Sequence, residues 1–223
     1  MSNILDERPA GIIFDLDGTL LDTEPLYTEA TQMLLDPFDH TFTLQLKKRC
    51  MGRDSKISAQ IVIDEFELDM SVEDYLSIRG GYLTKLFQSS PDIPGAAAFV
   101  EALAKKRIPF GLATSSHKHL CDVKLTKKPW QSLFTKIVCG DNEAVEQGKP
   151  APDIFLVCAK AIGISAADCI AFEDSPIGVS AAVAAGMRVV AINSPYVDRT
   201  DLHQAELIIE DYRELSGLIA RWN

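Results

Sequence analysis

Two carboxylates, Asp15 and Asp17, close the short apolar run Gly11-Ile12-Ile13-Phe14 within the segment Asp15-Leu16-Asp17-Gly18-Thr19. A carboxylate can attack phosphorus, and a second one close by can move protons to a leaving oxygen and from an attacking water. Three further polar groups, Thr114-Ser115-Ser116, Gly148-Lys149-Pro150 and Glu173-Asp174-Ser175, follow apolar runs or open helical patterns. Each has a purely structural reading: Asp17-Gly18 as a turn, the hydroxyls as helix caps, Lys149 as a solvated loop lysine, the acidic pair as complements to a helix dipole. Their combination argues for chemistry. Four carboxylates gathered at one sheet edge repel by about 4 kcal/mol per pair at ~4 Å and an effective dielectric of ~20, unless a cation sits among them.

Oxygen donors without His or Cys suit Mg²⁺, which keeps several waters and bridges carboxylates to phosphate. On this reading Asp15 is the nucleophile and Asp17 the acid and base. Asp174 holds the metal with Glu173 as a second or outer ligand, while Lys149 and Thr114 offset charge on the phosphoryl oxygens. Ser115, beside Thr114, and Arg53 are the further substrate-binding candidates. Arg53, Lys56 and Arg79 can supply a cationic grip or simply a solvated helix face. His117 and His119 have a reading as substrate contacts but are more simply surface residues at a helix start, Lys118 faces either the cap across the site or water, and Trp130 and Trp222 read as packing residues.

Elements that position these groups are visible as six apolar runs: Gly11 to Phe14, Phe110 to Ala113, Ile137 to Cys139, Cys169 to Phe172, Val189 to Ile192 and Leu207 to Ile209. Continuous apolar character is what parallel strands covered on both faces require. Helical patterns at Ala96 to Lys105, Ile154 to Ile162 and Ile177 to Ala185 alternate with the later runs. The expected class is α/β, with a Rossmann-like parallel sheet. From about Thr23 to Phe87 only helical periodicity occurs (Leu26 to Leu35, Lys56 to Phe66, Val72 to Phe87), and the chain returns through Pro91-Asp92-Ile93-Pro94-Gly95. The expected division is a core of residues 1–22 and 92–223 and an inserted helical cap of 23–91, hinged at its ends and closing over substrate.

The 223 residues carry a net charge of −10, which opposes attraction to nucleic acid polymers or an anionic membrane surface. Five cysteines are scattered and never form a CxxC pair, so neither a disulfide framework nor a zinc site is indicated. No stretch has the length or flanks of a signal or membrane span, and the cytoplasm is the default expectation. The expected partner is a small-molecule phosphate ester, and the chain is expected to act as a monomer.

In order and spacing, Asp15 to Thr19, Thr114, Gly148-Lys149-Pro150 and Glu173-Asp174 resemble the motifs of the haloacid dehalogenase superfamily, in its phosphatase branch with a helical cap. Flanking segments Leu20 to Glu24 and Gly148 to Asp153 are similar too, and the resemblance spans the chain. It implies the roles given above, and adds that the metal takes the side chains of Asp15 and Asp174 and the main-chain carbonyl of Asp17. Met51-Gly52, Ala59 to Asp64, Ile108 to Ser116 and Asp153 to Leu156 are similar to members of the pseudouridine-5'-phosphatase and 2-deoxyglucose-6-phosphatase-like kind. A β-phosphoglucomutase-like phosphomutase is the nearest alternative. The mutases' cap His and Lys positions here hold Tyr27 and Tyr82, which favours hydrolysis. A non-catalytic phosphate-responsive switch is the alternative of another class, opposed by Asp17, which would shorten the life of an acyl phosphate.

Overall fold

The computed structural model describes residues 4–50 and 55–222. The six apolar runs form six strands: β1 Gly11–Phe14, β2 Phe110–Thr114, β3 Ile137–Cys139, β4 Cys169–Glu173, β5 Arg188–Ile192 and β6 Leu207–Ile209. All pair in parallel, in the order β3-β2-β1-β4-β5-β6. Phe14 lies in register with Leu112 on one side and Phe172 on the other. β1 is therefore the strand at which the sheet order reverses, and open α/β sheets bind ligands beyond the carboxyl ends of the strands at such a point.

Alternation along the buried strands feeds two cores. Ile12, Phe14, Leu112, Phe172 and Val190 belong to one, and Ile13, Ala113, Ala171, Val189 and Ala191 to the other. Both faces are covered, which is why the runs are apolar without interruption. The first face packs α5 (Ala96–Lys105) and α6 (Lys118–Leu125); the second packs α7 (Asp153–Ile162) and α8 (Pro176–Ala184). α7 stops at Gly163, whose positive φ of 76° accommodates the left-handed turn. Trp130 and Trp222 are both buried, the indole N–H of Trp222 donating to the Leu5 carbonyl at 2.9 Å.

The chain divides into two compact units, one reaching to Asp22 and resuming at Pro91, the other Thr23–Ser90. The Asp22 N–H donates to the Pro91 carbonyl at 2.9 Å, so the two strands of chain that border the second unit are tied together within the first. The second unit contains α1 Glu24–Leu35, α2 Leu44–Cys50, α3 Ser55–Phe66 and α4 Val72–Leu86. Pro25 near the start of α1 and Ser71, whose hydroxyl caps the Asp74 N–H of α4, mark two of these beginnings. Leu34, Leu35, Leu46, Val62, Ile63 and Tyr75 form its core. α2 is an addition to the helices expected from the sequence, and α6 is the helix expected to start near His117, whose extent periodicity did not show. No helix among the described residues is long and apolar enough to cross a membrane, and all five cysteines are free thiols.

Candidate active site

Asp15 follows β1, Thr114 ends β2 and Glu173 ends β4, so adjacent strand ends deliver three of the expected groups to one place. The Asp15 N–H donates to the Phe172 carbonyl at 2.9 Å, extending the β1–β4 pairing one residue past the strand. The chain then turns at Gly18, which has a φ of +78°; a Cβ there would lie 2.0 Å from Asp174 Oδ2. Only glycine meets both the backbone angle and the close approach. The Thr19 hydroxyl donates to Asp174 Oδ1 at 3.3 Å, so the turn that follows the first carboxylates also orients Asp174.

Lys149 comes from the loop before α7 and its side chain is 4% exposed. Its ammonium donates to Asp15 Oδ1 and to Glu173 Oε1, both at 2.6 Å, and lies 4.9 Å from the centre of the Phe155 ring. Burial alone would lower Lys149, but Asp15 and Glu173 outweigh it and hold the ammonium firmly protonated. The other Glu173 oxygen, Oε2, accepts from the Asp174 and Ser175 N–H groups, both at 2.9 Å, and from the Ser175 hydroxyl at 3.0 Å. Ser175 Oγ in turn caps the Gly178 N–H at 3.1 Å. Glu173 thus ties the start of α8 to Lys149.

The fit is tight at Gly178, where a Cβ would stand 1.7 Å from Glu173 Oε1. Because that carboxylate is held on both oxygens it has no free rotamer to retreat to. Gly178→Ala is expected to destabilise the fold by about 1–3 kcal/mol, the usual cost of overpacking, measured by urea unfolding. An unchanged midpoint would show that Glu173 is less fixed than these bonds imply.

Asp17 is held separately. Lys124, in the last turn of α6, donates to Asp17 Oδ1 at 2.5 Å and to Ser116 Oγ at 2.9 Å, and the Ser116 hydroxyl donates to Asp17 Oδ2 at 2.9 Å. Thr114 is buried, and its Oγ1 accepts the Ser116 N–H at 3.1 Å, leaving its own proton to donate. Ser115 is exposed at the same turn. Arg53 lies outside the described residues. His117 and His119 are exposed, and Lys118 pairs at the surface with Asp122. Lys124 was not among the expected site residues, and its signal was a lysine where α6 calls for an apolar residue.

Beneath the carboxylates, Phe14, Phe99, Phe172 and Tyr212 form an aromatic floor, with Phe14 and Phe172 centres 5.1 Å apart and Phe172 stacked on Tyr212 at 5.6 Å. This apolar bed makes charge costly. Burial pushes Asp15 up to about 7, opposed by Lys149 and reinforced by Glu173 and Asp17. Asp174 is raised too, first by burial and then by Glu173 and Asp15. No group of three or more His, Cys, Asp or Glu side chains forms a ready metal cage among the described residues. Two raised oxygen-only carboxylates fit a hard divalent cation that completes its shell with water and phosphate, since such an ion would relieve the repulsion that raises them.

Residues 12–192 match the haloacid dehalogenase-like hydrolase family. A Drosophila melanogaster protein named "Probable pseudouridine-5'-phosphatase" is 38% identical over 94% of this chain and 92% of its own length. The (DL)-glycerol-3-phosphatase 2 of Arabidopsis thaliana is 39% identical over 89% of this chain and 85% of its own. Among solved structures, a β-phosphoglucomutase-like protein from Thermotoga maritima superposes with a TM-score of 0.84 at 28% identity, covering 94% of this chain and 98% of that one. The chain therefore belongs to the haloacid dehalogenase-like hydrolase family.

Proposed function

We propose that this chain is a Mg²⁺-dependent phosphatase that hydrolyses a small phosphomonoester through a transient phospho-aspartate on Asp15. The observation that carries the reading is the Lys149 ammonium, 2.6 Å from both Asp15 and Glu173 where β1 and β4 end. A fixed cation beside a carboxylate nucleophile is what an incoming phosphoryl group needs. Relatives named as phosphatases support the same reaction class.

In the first step an Asp15 oxygen forms a bond to phosphorus as the bond to the leaving oxygen breaks, and Asp17 gives that oxygen a proton. In the second, Asp17 takes a proton from a water that attacks phosphorus, and the Asp15–phosphorus bond breaks to release inorganic phosphate and restore the carboxylate. Lys149 and the Thr114 hydroxyl stabilise charge on the phosphoryl oxygens, with Ser115 and Arg53 extending the grip on substrate. Glu173 acts through Lys149 and as an outer partner of the metal site. Mg²⁺, held by Asp15, Asp174 and the Asp17 carbonyl, would neutralise phosphate charge and screen the carboxylates from it.

Residues 1–22 and 92–223 serve as the catalytic core and the helical unit as a cap that selects substrate. That unit has its own pocket of about 210 Å³, bordered by Tyr27, Thr28, Thr31, Lys47, Ser58 and Arg79. Its hydroxyls and cations favour a polar, hydroxyl-bearing leaving group such as a sugar, glycerol or nucleoside. Pseudouridine 5'-phosphate and glycerol 3-phosphate are the first candidates, from the relatives' names. The Thermotoga neighbour keeps a phosphomutase as the second reading.

The test is inorganic phosphate release from sugar phosphates, glycerol 3-phosphate, nucleotides, pseudouridine 5'-phosphate and flavin mononucleotide, each with Mg²⁺ and with a chelator. Metal-dependent release concentrated on one ester is expected. Silence across the panel from folded protein, with isomerisation of a sugar phosphate instead, would replace hydrolysis by the mutase reading.

A second test concerns the metal alone. The raised Asp15 means that its proton stabilises the metal-free fold at low pH, and this contribution is lost as pH rises from the ordinary aspartate value of 3.8 through about 7. A divalent cation competes with that proton. The gain in Tm on adding Mg²⁺ is therefore expected to be larger at pH 8 than at pH 6, read by calorimetry. A gain that does not grow with pH would count against Asp15 as a ligand.

A further inference from the structure

We propose that Lys124 and Ser116 are positioning residues that hold the Asp17 carboxylate in the orientation its proton transfers require. The inference rests on the phosphatase reading above and goes beyond it, since it concerns what fixes the acid and base. The Lys124 side chain is 0% exposed, although it stands on a surface helix. Desolvating an ammonium is costly unless it is paired and its protons are bonded, so a buried lysine on α6 needs a partner. Its partners include Asp17 Oδ1 at 2.5 Å and Ser116 Oγ at 2.9 Å. The Ser116 hydroxyl closes the ring by donating to Asp17 Oδ2 at 2.9 Å. Both carboxylate oxygens are thereby fixed by groups from a different part of the chain, one from the turn after β2 and one from α6.

The geometry also separates the two aspartates. Lys149 serves Asp15 and Glu173, whereas Lys124 serves Asp17, so carboxylates only two residues apart are paired with different lysines. Asp17 has its own lysine, distinct from the nucleophile's, while 26% of its side chain remains exposed to meet a leaving oxygen or a water. Proximity and aim are the quantities that proton transfer depends on most steeply, and a carboxylate free to rotate would lose both. Packing supports the arrangement: Cys121 and Leu125, flanking Lys124 on the buried face of α6, lie in the core beneath the sheet end, which fixes where the lysine emerges.

The experiment compares wild type with Lys124→Met, Lys124→Arg and Ser116→Ala in single turnover with Mg²⁺. Two esters are used: glycerol 3-phosphate, whose leaving oxygen needs a proton, and p-nitrophenyl phosphate, whose leaving group departs without one. In Lys124→Met the rate of phospho-aspartate formation is expected to fall at least about ten-fold more on the alkyl ester than on the aryl ester. Once formed, the phospho-aspartate should persist longer than in wild type, because its hydrolysis also needs Asp17. Ser116→Ala buries no unpaired charge and should fold normally, showing the same pattern at smaller size, and Lys124→Arg should recover part of the loss. A purely structural role would slow both esters alike, and equal losses, or none, in Lys124→Met and Ser116→Ala would overturn the proposal. If wild type itself forms no phospho-aspartate, the underlying phosphatase reading fails instead, which the same experiment reports separately.

Discussion

Asp15→Asn is expected to lower turnover by at least about four orders of magnitude, the scale of loss when a covalent nucleophile is removed, while leaving the protein folded. The amide matches the carboxylate in shape but lacks the charge and lone-pair basicity to attack phosphorus. Asp15 is 6% exposed and bonded to Lys149, so a larger or smaller residue would confuse loss of chemistry with loss of packing. With Asn at this position Lys149 keeps its 2.6 Å bond to Glu173, and the start of α8 stays tied to the sheet. Circular dichroism and a cooperative thermal transition check the fold, and phosphate release checks the chemistry. Substantial turnover in a folded Asp15→Asn protein would remove Asp15 from the nucleophile's role.

Lys149→Met should be the most damaging single change to stability as well as activity. It leaves Asp15 and Glu173, with side chains 9% and 1% exposed, without the cation that both contact. Removing one partner of a buried ion pair typically costs about 3–5 kcal/mol because the other charge remains desolvated. Methionine preserves the length of the stem over Phe155, so the loss reads the charge rather than a cavity. Urea unfolding with and without Mg²⁺ is the measurement. Mg²⁺ should restore part of the stability, by offsetting the carboxylates, but not turnover, since the phosphoryl oxygens still lack their ammonium. A Lys149→Met protein as stable as wild type in the absence of metal would show that the buried carboxylates are neutralised some other way.

Much of this architecture was legible in the residues because the strands are buried on both faces. Runs such as Cys169 to Phe172 need no alternation to be recognised, and the functional groups stand at their ends, where the apolar pattern stops abruptly. The two helices whose extent periodicity did not reveal, α2 and α6, share a cause. Each buries a lysine, Lys47 in one and Lys124 in the other, at positions where an apolar residue would have marked the inward face. A lysine is ordinarily solvated, so its type argues for the wrong side of the helix until its partners are known: Thr28 and Glu24 for Lys47, Asp17 and Ser116 for Lys124. Those partners are 8 to 107 residues away in sequence. Glu173 illustrates a subtler limit: its acidity and its place beside Asp174 are visible in the chain, but not that both its oxygens are occupied by Lys149 and the start of α8.

The most direct test of the central claim is to trap the covalent intermediate. The Mg²⁺-loaded protein is mixed with its best phosphate ester, quenched in acid during turnover, reduced with borohydride, digested and analysed by mass spectrometry. Reduction converts an aspartyl phosphate to homoserine, and the expected result is homoserine at position 15, absent from the Asp15→Asn protein and from samples without ester. Turnover with no homoserine at that position, or with the label on another carboxylate, would contradict a phospho-aspartate on Asp15.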